Sequence, residues 1–245
     1  MSGWKFASIS ILAGLLAPAA LAADKTTPTI PGWGRPVDPD GDCKIRADGD
    51  KLLFEIPGTK HDLSVEVGDV NAPRVIRPIE GDFIAQVTVS GNLQHNGKGT
   101  SDKFSPYHGA GLLIWLDGQT YIRLERALTI PPDREAVHYV NFELRKDGKM
   151  ADWDSAVIPI SDTTLRIERR GAHVYGQVSL DGIHWTALKP IDVQLPKEVK
   201  LGVAAINTSS EVFRPEFTDF ETFKQEPREA AQAQGTESSH DRPKK

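Results

Sequence analysis

The sequence predicts an all-β domain of antiparallel sheets, a sandwich or a barrel, and three observations carry that expectation. Asp-Gly recurs at 40–41, 48–49, 117–118, 147–148 and 181–182, and Glu80-Gly81-Asp82 adds another tight turn. Between these turns, short runs alternate apolar and polar side chains, which is the period of a half-buried strand. From Trp33 to Phe223 almost no helical periodicity interrupts them. Short strands punctuated this often are the signature of sandwiches and barrels.

The chain's first residues fall outside that body. Lys5 gives a positive start, Ile9 to Leu21 is apolar, and Ala20-Leu21-Ala22 is a small-x-small cleavage signal. Residues 1–22 therefore read as a secretory signal peptide, and the protein is expected to be exported, to a periplasm or outside the cell. A membrane anchor is disfavoured because the apolar run is short of the roughly 20 residues a spanning helix needs. No membrane insertion is expected. Residues 23–32 are Thr/Pro-rich and read as an extended linker, and residues 33–223 form the body. Residues 224–245 carry no large apolar side chain. They cannot offset their ordering entropy and read as a disordered tail.

Charge narrows the partners. Lys and Arg number 29 against 34 Asp and Glu, a net charge of −5, and the basic residues are interleaved with acidic ones. Nucleic acid and anionic lipid both require a contiguous basic surface, so neither is expected as a partner. Cys43 is the only cysteine, which rules out an intrachain disulfide.

Within the body, Cys43–Ala47 and Lys51–Ile56 flank Asp48-Gly49 as a first hairpin. Val75–Pro78 is short and limited by its proline. In Asp82–Val89, Phe83, Ala85, Val87 and Val89 face one way, with Ile84, Gln86 and Thr88 opposite. Ser90 to His108 is a long polar loop. The strongest hairpin signal is Gly111–Leu116, Asp117-Gly118, then Gln119–Arg126. A two-residue type I′ loop there pairs Trp115 with Thr120 and Leu113 with Ile122. Leu113, Trp115, Ile122 and Leu124 then share the core face, and Leu112, Ile114, Tyr121, Arg123 and Glu125 the other. A slip of one residue would exchange these lists.

Further on, Val140, Phe142 and Leu144 alternate with Tyr139, Asn141 and Glu143. Leu165 and Ile167 alternate with Arg166 and Glu168, and Val174, Gly176 and Val178 with His173, Tyr175, Gln177 and Ser179. A two-residue turn at Asp181-Gly182 pairs Trp185 with Val178 and sends it inward. Leu201–Ile206 is a small-residue strand, and Phe217–Glu221 closes the body.

Several of these pieces, in this order, resemble the DUF1349 family of concanavalin A-like domains, related to the C-terminal module of family 43 β-xylosidases. They are Trp33, Gly81-Asp82-Phe83, Gly109–Trp115 running into Tyr121–Arg126, Leu165–Arg169, Ser179–Trp185 and Phe217–Phe220. The resemblance spans Trp33 to Phe223. It implies a jelly-roll sandwich of two bent antiparallel sheets, one convex and one concave; relatives with this fold mostly bind carbohydrate or act as accessory modules, and many have no established activity. It supplies no catalytic residues, and fold analogy alone does not assign a function.

The outward-facing residues Tyr121, Arg123, Glu125, Tyr139, Asn141, Glu143, Arg166, Glu168, Tyr175 and Gln177 are expected to form one polar-aromatic concave surface. Aromatic rings suit the apolar faces of sugars, and planar polar groups suit vicinal hydroxyls. Carbohydrate is the expected partner, with a structural or protein-interaction domain whose face of Arg–Glu pairs is merely solvated as the alternative. Trp153, Tyr107 and His108 are further stacking candidates on loops. No Glu-x-Asp-x-x-Glu, Gly-x-Ser-x-Gly or phosphate-binding loop appears, so no catalytic residue is nominated; a hydrolase or lyase working in the same groove is the alternative. The histidines lack zinc spacing. Asp38, Asp40 and Asp42 alternate around Gly41 without the terminal Glu of an EF-hand. The resemblance allows a structural Ca²⁺ there, against an ordinary Asp-rich turn; no other cofactor is expected.

Overall fold

The computed structural model describes residues 28–101, 105–131 and 134–224. The expected signal peptide and residues 225–245 of the expected tail lie outside them. Seventeen strands make up the described chain. They are β1 (Arg35–Val37), β2 (Lys44–Asp48), β3 (Lys51–Glu55), β4 (Leu63–Ser64), β5 (Asp69–Val70), β6 (Arg74–Glu80), β7 (Phe83–Asn92), β8 (Tyr107–Trp115), and β9 (Tyr121–Thr129). There follow β10 (Val137–Lys146), β11 (Lys149–Val157), β12 (Thr163–Arg170), β13 (His173–Ser179), β14 (Thr186–Ala187), β15 (Ile191–Asp192), β16 (Glu198–Asn207) and β17 (Arg214–Lys224). A 3₁₀ turn, Val65–Val67, is the only helical piece among the described residues, and no helix there is long and apolar enough to cross a membrane.

Two large antiparallel sheets stack face to face. One runs β1-β6-β16-β8-β9-β10-β11, the other β14-β13-β12-β7-β17-β3-β2, with β15 also on β13. Between them lies the main core, with Phe83, Val87, Leu112, Ile114, Ile122, Leu124, Phe142, Ile167, Val203 and Phe217 among its members. The alternation read in β7, β10, β12 and β13 places the same side chains inward in each case: Phe83, Val140, Leu165 and Val178 are all buried there. The architecture is the all-β sandwich that the alternating pattern predicts. Ile30, placed in the linker by composition, bridges Gly34 and packs on the core.

The central hairpin departs from its expected register. Trp115 pairs with Tyr121 and Ile114 with Ile122, so the loop is the five residues Leu116–Thr120. Asp117 explains the difference: its Oδ1 accepts the Gln119 and Thr120 N–H groups at 2.7 and 2.8 Å. The side chain satisfies donors that a type I′ turn would have left to the backbone, and the loop lengthens. Leu112 and Ile114 therefore face the main core with Ile122 and Leu124. Leu113 and Trp115 lie on the opposite face, beside Tyr121, Arg123 and Glu125. The hairpin at Asp181 repeats the slip. Val178 pairs with Thr186, and Asp181 Oδ1 accepts Ile183 and His184 N–H at 2.8 Å each. Trp185 is not turned into the core; it lies half-buried with the Arg166 guanidinium 3.7 Å from its ring centroid. A two-residue Asp-Gly loop does occur at Asp147-Gly148, where both φ angles are positive, 52° and 77°. That is the geometry type I′ requires.

Candidate functional site

The outer face of the seven-stranded sheet carries a second, smaller apolar cluster. Leu63 and Ala72 pack there against Ile76, Leu113, Trp115, Tyr121, Ala204 and Ile206. Tyr121 stacks on Trp115 (5.4 Å, 16° between planes) and donates its Oη–H to the Leu63 carbonyl at 2.7 Å. The Arg74 guanidinium caps the indole from 4.1 Å. These contacts fasten the excursion between β3 and β6, residues 57–72, across the sheet as a wall. Tyr121 is fully buried, so it positions the wall and is not exposed to a ligand, which corrects its place on the expected binding surface.

Beside this wall lies a cavity of about 340 Å³. Tyr107, Arg123, Tyr139, Asn141 and Glu143 form its floor, from β8, β9 and β10. Lys60, Asp62, Ser64, Glu66 and Val67 line the wall, and Thr100, Ser101, Ser105 and Thr208 close the far side. The register explains the floor: Glu143 pairs with Arg123 and Asn141 with Glu125, so these side chains project from one face. Trp153 shares that face, being paired with Glu143. It sits on the edge strand β11, not on a loop, and is 60% exposed.

The floor is a buried ionic network. Arg123 pairs with Glu143 and lies 3.7 Å from Glu125, and Arg145 links Glu143 to Glu66, the latter at 3.0 Å. Asn141 Nδ2 donates to Glu143 at 2.9 Å and to Glu125 at 3.2 Å. Tyr107 donates its Oη–H to Glu125 at 2.5 Å. Its ring lies across Gly109, where a Cβ would come within 2.5 Å of Tyr107 Cε1. Arg123 Nη1 is buried with no hydrogen-bond partner.

The network shifts its carboxyls in opposite directions. Burial pushes the Glu125 carboxyl up, and the attraction of Arg123 does not overcome it. The same burial acts on Glu143, but Arg123 and Arg145 together outweigh it and hold that carboxyl below its ordinary value. Burial also raises Asp62, against the pull of Arg123. Tyr139 is pushed up to about 12, by burial first and then by Glu125 and Glu143.

The ten expected surface residues do not form one surface. Tyr121, Arg123, Glu125, Tyr139, Asn141 and Glu143 belong to the seven-stranded sheet; Arg166, Glu168, Tyr175 and Gln177 lie on the other sheet, whose outer face points away from the cavity. There Arg166 bonds Gln86 at 2.8 Å and Glu168 bonds Arg170. Alternation assigns a side chain to a face but not a strand to a sheet, so the two groups looked equivalent. His108, read as a loop-end candidate, is fully buried, stacked on Phe213. Tyr107 does reach the cavity. Lys60, Asp62, Ser64 and Glu66 were not anticipated, because residues 57–72 show no periodicity to mark them. Cys43 is half-buried; burial and the Asp38 and Asp42 carboxylates raise its thiol far above the ordinary value.

Solved structures share this fold at low identity. A functionally unknown protein from Saccharomyces cerevisiae superposes with a TM-score of 0.60 at 18% identity, over 79% of this chain and 97% of that one. The GH43 protein BlXynB from Bacillus licheniformis superposes with a TM-score of 0.54 at 12% identity, over 74% of this chain, which spans 38% of that protein. The fold is the jelly-roll sandwich of two antiparallel sheets that the resemblance implied. Among curated proteins none matches the chain. Residues 37–225 match the family described as "Protein of unknown function (DUF1349)", and the chain belongs to that family.

Proposed function

We propose that the protein is an exported, non-catalytic module that binds neutral carbohydrate in the cavity on the outer face of the seven-stranded sheet. The observation that carries this is the floor itself. Asn141, Glu143 and Arg123 present fixed amide, carboxylate and guanidinium groups in the same lining as the rings of Tyr107 and Tyr139. Vicinal hydroxyls pair with such planar groups. The volume falls within the ~300–1,000 Å³ typical of small-ligand sites.

Charge favours a neutral ligand. Lys60 is committed to Asp69 and Arg123 to Glu143, while Asp62, Glu66 and Glu143 all line the space. An acidic sugar would meet more carboxylate than free cation. Glu143 is held below its ordinary value and Glu125 does not line the cavity, so neither is placed to pass a proton to a ligand. Trp153 extends the same face outward and supports a ligand longer than the cavity.

A glycan array read with wild type, Asn141→Ala, Trp153→Ala and Trp185→Ala tests the reading. Asn141→Ala is expected to weaken binding at least ~tenfold, the cost of leaving buried groups unpaired. Trp185→Ala, on the opposite sheet, should leave it unchanged. Equal binding by all four would reject the cavity, and sugar release from any polysaccharide would reject the non-catalytic part. Export is tested separately, by fractionating cells that express the chain with and without residues 1–22; equal partitioning would reject it.

A further inference from the structure

A second polar cluster lies outside the cavity, where the loop between β1 and β2 meets the segment after β3. The ligating atoms of Asp42, Cys43 and His61 all lie within 4.8 Å of one another. His61 is fully buried, Cys43 half-buried and Asp42 exposed, so the cluster opens to solvent through its carboxylate. His61 Nε2 is 2.8 Å from Asp42 Oδ1 and 3.8 Å from Asp40 Oδ2, and Cys43 Sγ is 3.6 Å from Asp42 Oδ1.

The buried imidazole is oriented as a metal ligand is. Its Nδ1 lies 3.1 Å from the Thr59 carbonyl, which can only accept. That contact aims Nε2 at Asp42 Oδ1, and at 2.8 Å the pair can hold either a shared proton or a metal cation. Donating the remote N–H to a backbone carbonyl is how ligating histidines are commonly held. Asp38 borders the cluster, its Oδ2 accepting the Cys43 backbone N–H at 2.8 Å.

We propose that Asp42, Cys43 and His61 form a binding site for a borderline divalent transition cation of the zinc type, with Asp40 as the fourth ligand. The donor set decides the class. Calcium takes six to eight oxygens, whereas imidazole nitrogen with thiolate and carboxylate suits tetrahedral zinc. Ligands about 2.0–2.3 Å from one ion sit roughly 3.5 Å apart, so the side chains need only small shifts. On coordination the Cys43 thiol releases its proton to solvent, and no bond changes otherwise. This cation differs from the Ca²⁺ that the Asp38, Asp40 and Asp42 spacing suggested. The site also has a mechanical role, because the residues flanking His61, Lys60 and Asp62, both line the cavity. Metal would pin the cavity wall to the β1–β2 loop.

The test uses purified protein stripped with chelator. Zn²⁺ is titrated by calorimetry, and Co²⁺ by absorption, where a thiolate–cobalt charge-transfer band reports sulfur ligation. Wild type should bind one equivalent of Zn²⁺ and show the band. Cys43→Ser, at a half-buried position that should preserve the fold, should lose the band and bind Zn²⁺ at least ~tenfold more weakly. Asp42→Asn should weaken Zn²⁺ as well, and circular dichroism should show both variants folded. No saturable Zn²⁺ binding by wild type, binding unchanged in Cys43→Ser, or Ca²⁺ binding without Zn²⁺ would each overturn the proposal. None of these readouts depends on a glycan, so the carbohydrate reading stands or falls separately.

Discussion

Lowering the pH should destabilise the protein through His108, by an amount that follows from its surroundings. The ring is fully buried, stacked on Phe213 at 4.2 Å and met edge-on by His95 at 4.9 Å. Its Nδ1–H donates to the Leu93 carbonyl (3.1 Å), and its Nε2 accepts from Ser209 Oγ (2.8 Å). Burial, reinforced by the charge His95 would carry, pushes its pKa down to about 4. An unfolded histidine takes up its proton near 6.5, so between about pH 6.5 and 4 the unfolded chain binds protons that the native one refuses. Stability falls with pH across that window, and the loss is complete below about 4. A shift of roughly 2.5 units corresponds to about 3 kcal/mol, a large part of an ordinary domain's 5–15 kcal/mol. Other groups titrate nearby: burial lowers His95 and His138 and raises Glu125, so absolute slopes mix several terms. The informative quantity is the difference between wild type and His108→Gln, from urea unfolding at pH 7, 5.5 and 4. The variant should start less stable and lose about 3 kcal/mol less on acidification. Parallel pH profiles for the two proteins would refute the reasoning.

Other consequences are more local. Tyr121→Phe removes the donor to the buried Leu63 carbonyl and should cost about 1–3 kcal/mol by thermal or urea unfolding, with the cavity wall loosened first in hydrogen exchange. Arg123→Met leaves Glu143 with Arg145 and Asn141 but strips the cavity floor of its central charge; a loss of about 3–5 kcal/mol is expected, recovered in part when Glu143→Gln is added. Gly111→Ala would place a Cβ 2.1 Å from the Leu124 carbonyl oxygen on the neighbouring strand. It should give insoluble or unfolded protein on expression, because rigid backbone cannot yield as a side-chain tip can.

Much of the sandwich could be read from alternation. Phe83, Phe142, Ile167 and Val178 all reach the core predicted for them, since period two is a property of each strand alone. Registers were harder. The dipeptide Asp-Gly at 147–148 adopts the tight turn, whereas at 117–118 and 181–182 the same dipeptide spends its carboxylate on two backbone N–H groups and lengthens the loop. That choice exchanged the faces of Leu113 and Ile114. Strand β11 was invisible because it is an edge: its Asp152, Asp154 and Ser155 read as loop residues, and one row of its side chains faces water. The site was half legible. Arg123, Asn141 and Glu143 were found because they are polar positions on strong strands. Their separation from Arg166 and Tyr175 depends on which sheet each strand joins, and that is settled by long-range pairing.

The wall over the cavity is one uninterrupted insertion between β3 and β6, anchored by a small apolar patch that is separate from the inter-sheet core. Its outward side chains can therefore be rewritten without disturbing the packing between the sheets. The frame and the cavity wall are thus physically separable, and exchanging residues 64–69 between relatives is expected to alter the cavity lining on an unchanged frame.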